Sequence, residues 1–422
     1  MFSPRLKYTF LLWLLLPYVF FHLFWRARKQ VAYLNHIPER FGFYTAKSDK
    51  PVIWLHTVSV GETRAAASLV QRLQTTYPDH QLLLTHTTPT GREASEQLYG
   101  DKVMRVYLPY DYPFAVKRFL RHFRPRTGVL LETEIWPNLI HHSRLAKVPL
   151  LLLNARLSEK SFARYSRFPN LSLASLCQLQ SVSAQTEEDA SRLRKLGAQN
   201  ISVMGNLKYD IEPPPAMLTI GKQLRNLFGS DRPVFLAAST REGEEEILLE
   251  ALKQLDVPAL LIVIVPRHPQ RFDVVAALLT KKNFQFQRRS ENRPVAPQTQ
   301  VVLGDSMGEM FGYYAACDTA FIGGSLLSYG GQNLIEACAV GKPVIIGPHT
   351  YNFSQASNLA VDGGAAMRVK DVNELVANLQ ELLAHPQRMV QMGEAGLTFV
   401  KANQGATDRA MAIIAQQIAR LK

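Results

Sequence analysis

The chain has 422 residues, 47% of them apolar, enough for two or three domains that each bury a core. Its 48 Lys and Arg against 35 Asp and Glu leave a formal charge of +13, which favours anionic ligands or an anionic surface. The basic residues are scattered and no helix-turn-helix, zinc-finger or RNP pattern accompanies them, which speaks against nucleic acid, while Cys177, Cys317 and Cys338 lack CxxC spacing and fit buried thiols in a reducing compartment, with no zinc site.

The first element is the uncharged run Tyr8 to Trp25 (YTFLLWLLLPYVFFHLFW), with Arg5 and Lys7 before it and Arg26, Arg28 and Lys29 after it. At ~1.5 Å per residue it just reaches across a bilayer core. No small-x-small cleavage site follows, so residues 1–30 read as an uncleaved membrane anchor. Pro17 within the run and His22 near its end suit an alternative, a short helix lying in the membrane interface. Either way anionic lipid is the partner that the charge favours.

Beyond the anchor, short β-branched or leucine-rich runs alternate with helical stretches. The runs are Val52 to His56, Leu82 to His86, Val103 to Leu108, Thr127 to Leu131, Pro149 to Leu153 and Ile201 to Met204. A helix is expected over Glu62 to Thr75, where Ala65, Leu69, Val70 and Leu73 share one side. A second series follows with Val234 to Ala238, Leu260 to Val265, Val301 to Leu303, Thr319 to Ile322 and Val344 to Ile346, and helical patterns over Asn373 to Leu421 close the chain. Repeated β-α units predict an α/β fold with parallel sheets covered on both faces. The break falls at DIEPPPA, so the expected organisation is a domain over 31–209, a linker over 210–216 and a second domain over 217–422.

In open parallel sheets ligands bind beyond the carboxyl ends of the strands. There the first half carries His56, Ser59, Gly61 and Glu62, then Glu132 and Glu134, then Asn154 and Arg156. Glu62 sits where a helix starts; an acid in a first turn offsets the helix dipole, and one facing a cleft can also take a proton from an attacking hydroxyl. Glu132 and Glu134 read either as paired carboxylates for a cation or, because Pro137 places a helix start near Trp136, as including a helix cap.

The second half carries small and basic groups. Ser239, Thr240 and Arg241 precede a glutamate-rich helix, Arg267 and His268 follow a strand in VPRHPQR, and Met307, Gly308 and Glu309 open a helix. Arg267 suits a phosphate or a surface carboxylate, and His268 a ligand contact or a turn. The segment FIGGSLLSYGGQNLIE (321–336) runs from an apolar strand through two glycine pairs, the second being Gly330 and Gly331, into a helix. Such a loop lets a backbone approach a phosphate, and Asn333 and Glu336, three apart, share a face towards the same ligand.

Taken in order, HTVSVGE (56–62), LPYD (108–111), LETEIWPN (131–138), NARLS (154–158), AQTEEDASRLRKLGA (184–198), GNLKYD (205–210), PRHPQR (266–271), MGEM (307–310) and GGQNLIEA (330–337) resemble the Kdo (3-deoxy-D-manno-octulosonic acid) transferases of Gram-negative bacteria. The resemblance implies a GT-B fold, two Rossmann-like doubly wound domains facing a cleft behind an N-terminal anchor helix, on the cytoplasmic face of the inner membrane. It implies inverting transfer of Kdo from CMP-Kdo to the lipid A precursor in lipopolysaccharide inner-core synthesis, with no cofactor beyond the donor. Glu62 is then the catalytic base. Arg267 and the helix start at Gln332 and Asn333 offset the leaving phosphate, Glu336 reaches the ribose, and Lys208 neutralises a donor carboxylate or phosphate. Glu132, Glu134 and Asn206 fall in the family's motifs. No Asp-x-Asp motif calls for a metal, though Glu132 and Glu134 leave a cation open. The alternatives are another GT-B nucleotide-sugar transferase or epimerase, separated by the SVGE, LETEIWPN and NARLS segments, and a membrane scaffold in which Glu62 is dispensable.

Overall fold

The computed structural model describes residues 3–28, 30–255 and 257–420. Lys29, one of the basic residues flanking the apolar run, lies outside them. The chain forms two compact units, one running from the N-terminus to Asp210 and taking in Gln404 onward, the other spanning Ile211–Asn403.

The first unit holds a seven-stranded sheet of β1 (Val52–His56), β2 (Gln81–His86), β3 (Met104–Tyr107), β4 (Thr127–Leu131), β5 (Leu150–Ala155), β6 (Ser181–Ala184) and β7 (Ile201–Val203), in the order β3-β2-β1-β4-β5-β6-β7 with every pair parallel. Alternation divides the buried side chains of β1 between its faces: Trp54 packs with Phe119 on one, Ile53 and Leu55 with Leu69 and Leu73 on the other. The helix expected over Glu62 to Thr75 is two helices, α3 (Val60–Ala65) and α4 (Ala67–Thr76), and its apolar stripe is buried as Leu69, Val70 and Leu73.

The second unit repeats the plan with β8 (Val234–Thr240), β9 (Leu261–Pro266), β10 (Phe286–Arg288), β11 (Val301–Leu303), β12 (Thr319–Ile322), β13 (Val344–Ile346) and β14 (Ala366–Arg368), ordered β10-β11-β9-β8-β12-β13-β14. Each sheet thus has a point where the strand order turns back, between β1 and β4 in the first and between β8 and β12 in the second. Such switch points are where open α/β sheets hold ligands.

Three strands escape the sequence reading, β6, β10 and β14, whose SVSA, FQR and AMR are too short or too polar to stand out as apolar runs. The domain boundary also differs. Helix Ala406–Ala419, expected with the second domain, returns to the first, where Ala406, Ala410, Ile414 and Ile418 join the cluster around Leu69 and Leu73. Asp210 fastens its start, its carboxylate accepting from the Gly405 N–H at 2.6 Å and from the Thr407 N–H. Nor is the proline run wholly a linker, because Pro215 begins the helix Pro215–Phe228, where a missing N–H costs nothing.

The N-terminal run is not one anchor helix. It forms α1 (Pro4–Leu14) and α2 (Leu16–Ala27), bent by 54° at Leu15. Pro17 cannot donate to the carbonyl four residues back and its ring crowds that turn, which accounts for the break. No single described helix is long and apolar enough to cross a membrane.

Candidate active site

At the first switch point the turn after β1 folds as a reciprocal cap. Ser59 is the N-cap of α3, its hydroxyl accepting from the Glu62 N–H at 3.3 Å and donating to Glu62 Oε1 at 2.9 Å, while the Val58 N–H donates to Oε2 at 2.7 Å. The carboxylate is therefore oriented by groups of its own turn and stays half-buried. Burial, with the charge of Glu132, raises its pKa to about 7 against the opposing pull of Val58, Ser59 and His56. A carboxylate poised there exchanges protons near neutral pH. Gly61 lies exposed beside it, its free side facing little but the Ser59 hydroxyl.

The turn after β4 brings the two other acids into the same region, and neither caps a helix. Trp136 is the N-cap of Pro137–Leu145, and the first N–H groups of that helix are taken by Asp111, from Asn138 at 3.0 Å and Leu139 at 2.7 Å. Glu134 instead accepts from the Trp136 indole and lies 3.7 Å from His56 Nε2, an ion-pair distance. Burial works to raise its pKa, but His56 and the indole outweigh it and hold it below the usual carboxylate range. Glu132 pairs with Lys208 at 3.5 Å. Among the described residues no three His, Cys, Asp or Glu side chains gather as a metal site would need.

Lys208 reaches Glu132 because β5 ends irregularly. Asn154 has φ +54°, at the register shift between Leu152 and Ala155, and its Oδ1 accepts from the Leu207 N–H at 3.1 Å. Gln185, which the sequence reading passed over, donates to the Asn154 carbonyl at 3.1 Å and accepts from Asn206 at 3.0 Å. Asn206 in turn caps the Leu207–Tyr209 turn through the Lys208 N–H. Asn154 is thus a support for the lysine, and Arg156 offers its carbonyl to the Thr133 hydroxyl beside Glu132. Glu132 itself has φ +59° and Ser239 in the other unit φ +56°. A left-handed backbone at three non-glycine strand ends costs of order 1–3 kcal/mol each, and such strain clusters at functional sites.

At the second switch point Ser239 sits at a register shift of β8, and Thr240 donates to buried Glu245 at 2.9 Å. Gly323 is obligatory because a Cβ there would lie 2.5 Å from the Ser239 carbonyl oxygen. Arg267 donates through Nε to Gln332 at 3.1 Å, so it stands against the glycine-rich loop. His268 meets the Arg241 guanidinium at 2.9 Å, and burial together with Arg241, Arg267 and Arg271 lowers its pKa, which suits a neutral imidazole accepting from Arg241. Arg271 is tied to Glu245 at 2.9 Å.

The glycine loop differs from the expected phosphate cradle. The Gly324 and Leu326 N–H groups donate to Glu244 at 2.6 and 3.0 Å, the Gly331 N–H to the Gly324 carbonyl and the Gln332 N–H to the Gly323 carbonyl. These donors hold the loop's own shape, and the helix expected to start at Gln332 and Asn333 begins only at Ile335, as Ile335–Ala339, because the Gln332 N–H is spent on the loop. Gly330 (φ +89°) and Gly331 (φ +74°) serve that shape, since a Cβ on Gly330 would meet Asn352 and Tyr351 at 2.4 Å. Asn333 and Glu336 do come together, Nδ2 donating to Oε1 at 3.1 Å, while Asn333 Oδ1 accepts from the Ile335 N–H. Glu309 is held by Arg289 at 3.3 Å and Ser306 at 2.6 Å; Met307 is exposed and Gly308 (φ +82°) borders open space. Glu244, Glu245 and Arg289 were not singled out from the sequence. The clue to the first two was three glutamates opening one helix directly after a strand end.

A family model described as 3-deoxy-D-manno-octulosonic-acid transferase (kdotransferase) matches residues 35–211, and one described as glycosyl transferases group 1 matches residues 228–398. The chain is 42% identical over 420 residues to a 3-deoxy-D-manno-octulosonic acid transferase of Bordetella pertussis, covering 96% of this chain and 97% of that one. It is 38% identical to the transferase of the same description from Haemophilus influenzae, with 99% of both chains covered. Among solved structures, a glycosyltransferase from Rickettsia africae superposes with a TM-score of 0.59 at 15% identity, over 88% of this chain and 99% of that one, a likeness of fold.

Proposed function

Because the chain belongs to the 3-deoxy-D-manno-octulosonic acid (Kdo) transferase family, with two parallel seven-stranded α/β units of the GT-B kind, we propose that it transfers Kdo from CMP-Kdo to a hydroxyl of the lipid A precursor at the inner-membrane surface, with Glu62 as the base. The observation that carries this is the Glu62 carboxylate, fixed at a switch point by its own turn and titrating at about 7. The acceptor oxygen attacks the anomeric carbon from the face opposite the phosphate, so the configuration inverts. The new C–O bond forms as the bond to phosphate breaks, the phosphate of CMP leaves with the electron pair, and the hydroxyl proton passes to Glu62. A general base contributes about 10²- to 10⁴-fold in rate.

In this reading Arg267, standing with Gln332 against the glycine loop, supplies positive charge to the departing phosphate. Asn333 and Glu336 take the ribose, and Lys208 meets the donor carboxylate by leaving Glu132. The apolar N-terminal pair and the net charge of +13 support the membrane location and the anionic acceptor. The test is transfer in membranes holding the purified protein, CMP-Kdo generated in situ and lipid A precursor, with products weighed by mass spectrometry. A gain of one Kdo mass or more is expected; no gain where a known Kdo transferase works under the same conditions would overturn the reading.

A further inference from the structure

We propose that α1 and α2 lie in one leaflet as a rigid lipid-facing foot of the first unit, with the N-terminus on the same side of the membrane as that unit, and do not carry it across. The inference rests on the membrane location proposed above and adds its geometry.

Length does not decide the matter, since the bent pair taken together could reach across a bilayer core. The contacts do, because the pair is fastened to the first unit near both of its ends. At the start of α1, Arg5 Nη1 and Thr9 Oγ1 both donate to Asn138 Oδ1, at 3.0 and 2.9 Å. Asn138 is wholly buried and its amide donates to the Asp111 carbonyl at 2.7 Å, while Tyr8 hydrogen-bonds the Asp111 side chain. Two polar residues from LPYD and LETEIWPN therefore build a socket for α1. Further along, the Tyr112 hydroxyl donates to the Leu12 carbonyl at 2.8 Å, and Trp13 packs 5.2 Å from the Tyr112 ring. In α2, Phe20 stacks on Phe41 at 5.3 Å, and Leu23 and Ala27 are buried. A helix crossing the bilayer cannot keep its first turn bonded to a buried asparagine of the water-soluble unit while its second half packs on that same unit.

The opposite side of the pair is open and apolar. Phe10 and Phe21 are each 66% exposed, and Leu14, Tyr18, Phe24 and Trp25 lie bare with them. So much exposed aromatic surface on one short segment marks a contact with lipid or protein. The charged residues described in the pair and its flanks, Arg5, Lys7, Arg26 and Arg28, are all basic, and aromatic rings edged by cations suit the headgroup level of an anionic leaflet. Asn138 stands on the helix that follows Glu132 and Glu134, so the socket ties this surface to the loop bearing the site acids.

Sidedness tests it. The full chain carrying Lys7→Cys on exposed α1, or Asp79→Cys in an exposed turn of the first unit, each with Cys177→Ser, is produced in Gram-negative cells. A membrane-impermeant maleimide is then applied to inverted inner-membrane vesicles and to intact spheroplasts. Labelling of both cysteines in the vesicles and of neither in the spheroplasts is expected. Labelling of Lys7→Cys from the face opposite to Asp79→Cys, or only after detergent, overturns the one-leaflet placement and leaves the membrane location standing. Protein that stays in the soluble fraction overturns both.

Discussion

The two switch points each place a glutamate in the first turn after the central strand, and the two glutamates end up doing different work. Glu62 follows β1, Glu244 follows β8. Glu62 is oriented by two donors from its own turn and remains half-buried, with a pKa of about 7. Glu244 is fully buried and accepts from Arg241 in its own turn and from Gly324 and Leu326 in a loop some 80 residues on. Burial raises its pKa too, against several backbone N–H groups. One carboxylate is left facing solvent with capacity to take a proton; the other buckles a loop. A favourable address in the fold does not make an acid catalytic. What separates the two is how many of a carboxylate's lone pairs the chain itself consumes.

Exchanging Glu62 for glutamine is the hardest test of that distinction. Glu62→Gln keeps an acceptor for the Val58 N–H, so the turn should persist while transfer falls about 10²- to 10⁴-fold with donor affinity unchanged. The measurement is kcat for Kdo transfer alongside CMP binding; near-normal turnover sinks the base assignment. If Glu62 is the base, the active form of the unaltered protein is the ionised carboxylate, and the rate should drop about tenfold per pH unit below about 7 and level off above it. Glu62→Gln should lose that limb. Glu244→Ala probes the other member of the pair. It strands three N–H groups, that of Gly324 buried and those of Arg241 and Leu326 partly so, and should destabilise the second unit on the order of 3 kcal/mol, seen as a lowered midpoint in urea. A variant as stable as the parent but unable to transfer would give Glu244 the chemical role denied to it here.

How much of this contrast the sequence discloses follows from the range of the interactions. Ser59 and Glu62 are legible because they lie together at a strand end where a helix starts, and the bonds that join them span only three residues. The strands β1, β4, β11, β12 and β13 are legible to the residue because buried parallel strands read as apolar runs. The use of Glu244 is not, because its partners Gly324 and Leu326 become neighbours only once β8 pairs with β12. For the same reason GGQNLIE looks like an open anion cradle, while the Gly331 and Gln332 N–H groups close on Gly324 and Gly323. Helix Ala406–Ala419 shows the same limit at domain scale: its stripe announces burial without naming the sheet.

Arg267→Ala sharpens the second unit's side of the comparison. If the loop N–H groups are spent on shape, side chains must carry the phosphate, and losing one charged donor should weaken CMP binding about ten- to hundredfold by calorimetry. Unchanged affinity would return the phosphate to the backbone.

The smallest effect comes from Glu132, which acts on Glu62 through charge. Burial is the larger cause of the raised pKa of Glu62 and the Glu132 carboxylate the next. Glu132→Gln removes that repulsion, which favours ionised Glu62. The acid limb of the rate profile should therefore move to lower pH, making the variant a few-fold faster than the parent at pH 6 and equal to it on the plateau. Burial is untouched, so Glu62 should not return to an ordinary carboxylate value. A plateau that collapses instead would mean that Glu132 meets the substrate itself. The first switch point would then hold two working carboxylates, and the contrast with Glu244 would lie between whole turns, not between two residues.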